Sequence, residues 1–170
     1  AARTLADKLS AQALDAALAT KVGRVLAAFH AKGIWHADLN ANNVLEHVAD
    51  LPALMGNCLS LLAVGGEFRI EVPYEHAPTA WQDPTHVRAM NENSWLYYTE
   101  WFWYLGWDKH RFDVRRLDFV LSPVGQYLRD AGTPQDALLR PPRAVDSMTV
   151  VLEKVPLSDA DGSRALFRIG

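Results

Sequence analysis

Residues 44–73, VLEHVADLPALMGNCLSLLAVGGEFRIEVP, decide the fold, because they join a helix to a strand through a short connection. Asp50 is predicted to be the N-cap, and the apolar residues after it predict a helix that runs to about Leu62. Gly65-Gly66 is predicted to end this helix. Residues 68–73, FRIEVP, are bounded by glycines and a proline, which is typical of a buried parallel strand. This order of elements predicts an α/β fold.

The flanking sequence extends this pattern in both directions. Residues 11–32 place apolar side chains at helical spacing and predict an amphipathic helix that Gly33 ends. The next residues, GIWHADLNANN, have the turn-rich composition of a loop. Residues 74–94 predict a long irregular loop, of the kind that often carries function. Beyond it we expect a helix at 93–104, a strand at 112–122, a turn or short helix at 123–139 and a final antiparallel strand at 148–155.

Length, charge and cysteine usage exclude several classes of protein. With 170 residues the chain has room for one ordinary domain. A net charge of −3 argues against a nucleic-acid binder, which needs a basic surface. The single cysteine, Cys58, excludes an internal disulfide and a multi-cysteine metal site. Residues 51–64 are uncharged but shorter than the ~20 residues of a membrane span. With no secretory signal visible, we expect a cytoplasmic protein without a transmembrane segment.

The pattern HxDxxxxN occurs upstream of residue 45, as His36, Asp38 and Asn43. Phosphoryl transfer to a hydroxyl needs a carboxylate that orients the nucleophile and an amide oxygen that holds magnesium. In its context, AFHAKGIWHADLNANNVL, the pattern resembles the lipopolysaccharide-core sugar kinases, specifically 3-deoxy-D-manno-octulosonic acid kinase. This resemblance covers residues 1–45. It implies ATP and Mg²⁺ as cofactors, Asp38 as the catalytic base and Asn43 as a magnesium ligand.

Other elements of a kinase do not accompany this pattern. A lysine-bearing nucleotide lobe would precede the helix, and a second metal-binding aspartate would follow Leu45 in a phrase like IDF or DFG. The sequence instead continues as EHVADLPALM, which starts a helix. The alternative is that Asp38, Asn40 and Asn43 hydrogen-bond to the backbone of a turn, as these residue types commonly do. We therefore expect kinase ancestry without kinase activity in this segment.

Residues 44–73 resemble the carboxyl half of the class I S-adenosylmethionine-dependent methyltransferases. In that family VLEHV follows the fourth strand, and a glycine pair leads into the fifth. Residues 80–98, AWQDPTHVRAMNENSWLYY, resemble a bacterial subgroup of the same enzymes, and the resemblance runs on to residue 155. It implies S-adenosylmethionine as the cofactor. It also implies an incomplete Rossmann-like three-layer α/β sheet, preceded here by an N-terminal helix and loop.

The methyltransferase resemblance implies a set of site residues at the end of the fourth strand and in the loop after the fifth. The residues expected to line the cofactor are Asn42, Val44, Glu46 and His47. The residues expected to bind the acceptor are Asp83, Arg88 and Trp95. His86 is the candidate catalytic residue, because an imidazole can accept a proton near neutral pH. The alternative for residues 83–88 is a proline-anchored loop held by side-chain hydrogen bonds.

The aromatic run SWLYYTEWFWYLGW, residues 94–107, has several interpretations. Core packing or a lid over the cofactor cleft is favoured, because buried aromatic rings contribute strongly to cores. A homodimer face is the next interpretation. Stacking on nucleic-acid bases is the weakest, since the run lacks interleaved basic residues.

Two features of a complete cofactor site do not occur, the GxGxG turn and the acidic residue that ends the second strand. We therefore expect a chimera of a kinase-like segment, residues 1–45, and a methyltransferase-like half-domain, residues 46–170. The favoured function is an incomplete methyltransferase, with a sugar-kinase fragment or a non-catalytic α/β chain as alternatives. The expected partner is a small-molecule or glycan substrate. An open sheet edge predicts poor solubility or a homodimer.

Overall fold

The computed structural model describes residues 36–158 and residue 161. These residues form one four-stranded mixed sheet. Its strands are β1 (His36–Asn42), β2 (Leu62–Pro73), β3 (His110–Leu121) and β4 (Val145–Pro156). The order is β1-β2-β4-β3, so β1 and β3 are the edges of the described sheet. β1 is parallel to β2, and β4 is antiparallel to both β2 and β3. The predicted α/β class and antiparallel strand pair are confirmed. The described sheet has fewer strands than a complete Rossmann-like sheet, as the sequence predicts.

Four α-helices and three 3₁₀ helices connect the strands within this part of the chain. The α-helices are α1 (Leu51–Leu61), α2 (Thr79–Gln82), α3 (Pro123–Asp130) and α4 (Gln135–Leu138). The 3₁₀ helices are Leu45–His47, Glu92–Tyr98 and Phe102–Leu105. Of the helices in the described residues, none combines the length and the apolar character that crossing a bilayer requires. The helix predicted at residues 11–32, with its C-cap Gly33, lies outside the described residues.

Local signals specify where α1 begins. The side chain of Asp50 accepts a hydrogen bond from the backbone N–H of Ala53 at 3.0 Å, which confirms the predicted N-cap. Leu51, Met55 and Leu59 are buried, and their spacing of four residues places them on one face of the helix. This face packs into the same apolar core as the sheet. α1 therefore connects the parallel strands β1 and β2 as an amphipathic crossover helix.

The predicted role of Gly65-Gly66 as the end of α1 is wrong. The helix ends at Leu61, and the chain enters β2 at Leu62, whose backbone is already extended. The register with β1 shifts in this region, because His36 pairs with Leu62 while Asp38 pairs with Glu67. Gly65 takes a φ of +82°, a conformation that glycine adopts at little cost. The glycines therefore accommodate an irregularity within the strand.

The core lies between α1 and one face of the sheet. Phe68, Ile70 and Val72 on β2 pair with apolar residues of β4, and all of them are at most 2% exposed. Glu67 and Arg69 alternate with these residues and are exposed. The sequence predicts a buried parallel strand at residues 68–73, and β2 does pair in parallel with β1, but within the described residues it has one packed face and one polar face. Its alternating sequence EFRIEV already carries this pattern.

The segment HADLNAN, predicted to be part of a loop, forms strand β1 instead. It pairs in parallel with β2 from Asp38, opposite Glu67, to Asn42, opposite Glu71. Asp and Asn are rare in strands, so local propensity disfavours this structure. The pairing satisfies backbone groups along one side of β2, and this tertiary interaction outweighs the propensity. β1 also belongs to the kinase-like segment, so the sheet joins both predicted segments.

The long loop and the aromatic run also differ from the prediction. Residues 74–94 contain α2 and an isolated β-bridge between Tyr74 and Met90, so this region is only partly irregular. The single helix predicted at 93–104 is two 3₁₀ helices. Trp95, Tyr98 and Phe102 are at most 5% exposed, which supports the core-packing interpretation of the aromatic run.

Candidate functional site

The candidate site lies where the parallel strands β1 and β2 end. Their carboxyl ends lie at the same edge of the sheet, and ligands of open α/β sheets bind beyond this edge. The segments that follow the two strands are joined there by hydrogen bonds. The N–H of Val87 donates to the carbonyl of Glu46 at 2.8 Å. Nη2 of Arg88 donates to the carbonyls of Val48 and Ala49 at 2.6 and 2.8 Å.

Glu46 is a buried acidic residue at the centre of this site. It lies in the 3₁₀ helix after β1 and is 2% exposed. Among the described residues, neither carboxylate oxygen has a hydrogen-bond partner. Burial raises the pKa of Glu46, and the backbone N–H of Glu46 itself, followed by His47 and His86, acts in the opposite direction. A carboxylate without hydrogen bonds is costly to bury, so this side chain is unusual for a core residue.

His47 is held from the second loop by Thr85 and Asp83. The hydroxyl of Thr85 donates to Oδ1 of Asp83 at 2.6 Å, and Nδ1 of His47 lies 2.9 Å from the same hydroxyl oxygen. The backbone N–H of Thr85 also donates to Oδ1 of Asp83, at 2.8 Å. These two hydrogen bonds from Thr85 lower the pKa of Asp83. The carboxylate of Asp83 therefore fixes the hydroxyl of Thr85, and this hydroxyl in turn contacts the imidazole of His47.

The ring of His86 is packed against that of His47. The two ring centroids are 4.5 Å apart, and the planes meet at 80°. The side chain of His86 is 6% exposed, and its Nδ1 lies 2.9 Å from the carbonyl oxygen of Ala80. Glu46, His47 and His86 each offer one ligand atom, and these three atoms lie within 4.8 Å of one another. Residues 40 positions apart in sequence thus meet in one cluster.

The structure brings together four of the predicted site residues, Glu46, His47, Asp83 and His86. Arg88 lies beside them, but its hydrogen bonds to the carbonyls of Val48 and Ala49 fix the chain after the 3₁₀ helix. This arrangement agrees with the alternative of a loop held by side-chain hydrogen bonds. Trp95 and Val44 are core residues, 1% and 8% exposed, and so lie apart from the cluster surface.

The residues predicted from the kinase resemblance are placed along β1 and just beyond it. Asp38 lies within the strand, in register with Glu67. Asn43 follows the strand and is exposed, as is the last strand residue, Asn42, which was predicted from the methyltransferase resemblance. Asn43 has a φ of +50°, and its N–H donates to the carbonyl of Glu71 at 2.9 Å. Asn43 therefore terminates the strand pairing, which is a backbone role that Asn tolerates well.

Two contributors to the site were not predicted, Thr85 and the carbonyl of Ala80. The phrase DPT, residues 83–85, carries a signal for Thr85, because Asp commonly binds the backbone two residues ahead. No sequence signal identifies the carbonyl of Ala80 as the partner of His86.

Comparison with protein-family models matches residues 1–55 to the lipopolysaccharide kinase (Kdo/WaaP) family. The match confirms the kinase resemblance and extends ten residues beyond the predicted segment, into α1. It covers less than half of the chain. Among curated proteins, none matches this chain significantly.

Comparison with solved structures finds proteins of low sequence identity. A SAM dependent methyltransferase from Archaeoglobus fulgidus has a TM-score of 0.44 and 15% identity, over 70% of this chain and 59% of that protein. The YcgJ protein from Bacillus subtilis has a TM-score of 0.44 and 12% identity, over 83% and 77% of the two chains. The cyclase SpnF has a TM-score of 0.45 and 14% identity, over 84% and 62%. This chain is thus similar to Kdo/WaaP kinases over residues 1–55 and, in structure, to a group of proteins that includes a methyltransferase.

Proposed function

We propose that this chain supplies the acceptor side of an S-adenosylmethionine-dependent methyltransferase. One observation carries the proposal. The cluster of Glu46, His47 and His86 lies beyond the carboxyl ends of two adjacent parallel strands, where open α/β sheets bind their ligands. The order β1-β2-β4-β3 also supports it, because it contains the fourth and fifth strands and the antiparallel final pair expected from the sequence resemblance.

Methyl transfer asks mainly for positioning, because the sulfonium of the cofactor is already a strong methyl donor. S-adenosylmethionine would lie beside the end of β1, against Asn42, Glu46 and His47. The buried side chain of Val44 would hold this segment against the core. The acceptor would enter between this segment and residues 83–88. Trp95 would shape that side from within the core, and Asp83 would hold the loop.

His86 is proposed to receive the proton that the acceptor hydroxyl loses. A carbonyl oxygen only accepts hydrogen bonds, so the contact with Ala80 requires a hydrogen on Nδ1 of His86. This leaves the lone pair on Nε2 as the basic position. A small-molecule or glycan hydroxyl is the acceptor class that such a site suits. Oδ2 of Asp83 lies 4.0 Å from Nε2 of His86.

Calorimetric titration of the chain with S-adenosylmethionine and, separately, with Mg-ATP tests this proposal. We expect saturable heat with S-adenosylmethionine and none with Mg-ATP. Asn42→Ala should weaken binding of S-adenosylmethionine several-fold. Asn57→Ala is the matched control, because Asn57 is exposed on α1, and it should bind as the wild type does.

The family match over residues 1–55 favours one alternative, a sugar kinase that uses Asp38 as base and Asn43 as magnesium ligand. Heat with Mg-ATP that Asn43→Ala removes would replace the methyltransferase proposal with this one. Heat with neither ligand would reject both and leave a non-catalytic α/β chain.

A further inference from the structure

The hydrogen bonds around the cluster determine which nitrogen of each histidine carries a lone pair. Nδ1 of His86 must donate to the carbonyl of Ala80 at 2.9 Å, so its lone pair is on Nε2. Thr85 has one hydroxyl hydrogen, and Asp83 accepts it at 2.6 Å. The oxygen of Thr85 therefore accepts from Nδ1 of His47 at 2.9 Å, which leaves the lone pair of His47 on Nε2 as well.

Nε2 of each imidazole is thus the nitrogen that can donate a lone pair to an electrophile, while the hydrogen bond of Nδ1 fixes the ring. Metal-binding histidines show this arrangement, with one ring N–H bonded to a carbonyl, a carboxylate or a similar acceptor. Here His86 uses a backbone carbonyl, while His47 reaches the carboxylate of Asp83 through Thr85. The orientation of both rings is set before any ligand arrives.

The third member of the cluster is a buried carboxyl group without hydrogen bonds. Only 2% of the surface of Glu46 is exposed, and among the described residues neither of its carboxylate oxygens is hydrogen-bonded. Buried charges in proteins are paired or coordinate metals. A bound cation would supply the positive charge that this carboxylate needs.

We propose that Glu46, His47 and His86 bind a divalent transition-metal ion of the Zn²⁺ type. Two imidazole nitrogens and one carboxylate oxygen are a ligand set of catalytic zinc sites, which keep a further position open for water or substrate. Mg²⁺ prefers a shell of oxygens and fits this set poorly.

The geometry is compatible with such an ion after a small closure. The three ligand atoms lie within 4.8 Å of one another. Metal–ligand bonds of about 2.0–2.1 Å in a tetrahedron place ligand atoms about 3.4 Å apart. The cluster therefore has to contract by roughly 1.4 Å at most, through rotation of the Glu46 side chain, which no hydrogen bond holds, and a small shift of the two segments. Glu46 and His47 lie on one 3₁₀ helix and His86 on the facing loop, so closure also draws the two segments together.

This inference rests on the proposed function for its role in the reaction. In the metal-bound chain, Nε2 of His86 is a ligand rather than the group that receives the proton. The acceptor oxygen would then occupy the open position of the metal, which lowers the pKa of a bound hydroxyl, and the released proton would pass to solvent. The metal site itself is defined by the cluster alone and can be tested without S-adenosylmethionine.

The test is calorimetric titration of the full chain, stripped of metal with a chelator, with Zn²⁺ and then with Mg²⁺. We expect Zn²⁺ to bind and Mg²⁺ to give no heat. Glu46→Gln and His86→Gln should each weaken Zn²⁺ binding at least tenfold. His76→Gln is the matched control, because the side chain of His76 is 42% exposed and lies outside the cluster, and it should leave the affinity unchanged.

Co²⁺ gives a second readout, since its visible absorption reports its ligands and should change in His86→Gln but not in His76→Gln. Far-UV circular dichroism of each variant separates loss of the site from loss of the fold. Equal Zn²⁺ affinity of the wild type, Glu46→Gln and His86→Gln overturns the proposal, as does the absence of Zn²⁺ binding. Zn²⁺ binding without S-adenosylmethionine binding rejects the methyltransferase and keeps the metal site, and the reverse result does the opposite.

Discussion

The same substitution, glycine to alanine, is expected to have opposite effects at two helical positions, Gly125 in α3 and Gly56 in α1. A Cβ built at Gly125 lies 2.0 Å from the carbonyl oxygen of Ala144, which is backbone and not free to rotate away. A Cβ at Gly56 lies 3.7 Å from Nε1 of Trp107, an ordinary contact. Helix propensity alone would stabilise both alanine variants by about 0.8–1 kcal/mol.

The contact at Gly125 outweighs this propensity gain. Ordinary contact begins near 3.4 Å, so α3 and the segment before β4 must separate by about 1.4 Å. Such overpacking costs about 1–3 kcal/mol. The separation also strains the 3.1 Å hydrogen bond from the N–H of Ser122 to the carbonyl of Ala144, which is worth about 0.5–1.5 kcal/mol. We expect Gly125→Ala to lower the free energy of unfolding by ~1–3 kcal/mol and Gly56→Ala to raise it by ~0.5–1 kcal/mol.

Urea unfolding followed by tryptophan fluorescence measures both free energies of unfolding. An equal slope of the free energy against urea concentration in the two variants would show that the denatured state is unchanged. Gly56→Ala is the control for helix propensity. If Gly125→Ala is as stable as the wild type or more stable, α3 does not pack against Ala144 as described, and the reasoning fails.

Three further substitutions test the cap of α1, the buried lysine of β4 and the buried carboxylate of the site. Asp50→Ala removes the acceptor for the N–H of Ala53 and should lower the free energy of unfolding by ~1 kcal/mol, whereas Asp50→Asn should retain most of it in the same urea assay. Burial lowers the pKa of Lys154 in the folded state. The folded state therefore loses the proton at a lower pH than the unfolded state does, where the pKa is about 10.4. Between these two pKa values the free energy of unfolding should rise with pH. Unfolding at a series of pH values should show this rise in the wild type, and an equal rise in Lys154→Met would assign it to another group. Glu46→Met replaces a buried carboxylate without hydrogen bonds and should stabilise the metal-free chain by ~1–3 kcal/mol in thermal denaturation with EDTA. Destabilisation by that change would mean that the carboxylate has a partner.

Elements with local signals were predictable from the sequence, and elements that depend on pairing were not. α1 could be predicted because its N-cap Asp50 and the spacing of its apolar residues are local features of one short segment. The final strand was predicted from its β-branched run. β1 was missed, because HADLNAN lacks strand propensity and becomes a strand only by pairing with β2. The sequence predicts one helix over residues 93–104 where the structure has two 3₁₀ helices, since apolar spacing does not show where a helix is interrupted.

The candidate site follows the same division. Glu46, His47, Asp83 and His86 were found because each belongs to a short phrase, VLEHV or QDPTHVR, whose position in a fold is implied by resemblance. That these phrases meet, and that both histidines use Nδ1 in a hydrogen bond, depends on loop packing that no local pattern encodes. Trp95 was predicted to bind the acceptor but is buried in the core, because tryptophan is common both on binding surfaces and in cores.

The strand order also makes the two edges of the described sheet chemically unequal. β3 carries Arg111, Arg115 and Arg116 with acidic partners, including ion pairs of Arg115 with Asp113 and Glu153. Such a charged edge resists the approach of another strand. The sequence of β1, HADLNAN, has a single acidic residue and no lysine or arginine. Within the described sheet, the addition of a further strand is therefore disfavoured at the β3 edge, where it would have to displace these ion pairs.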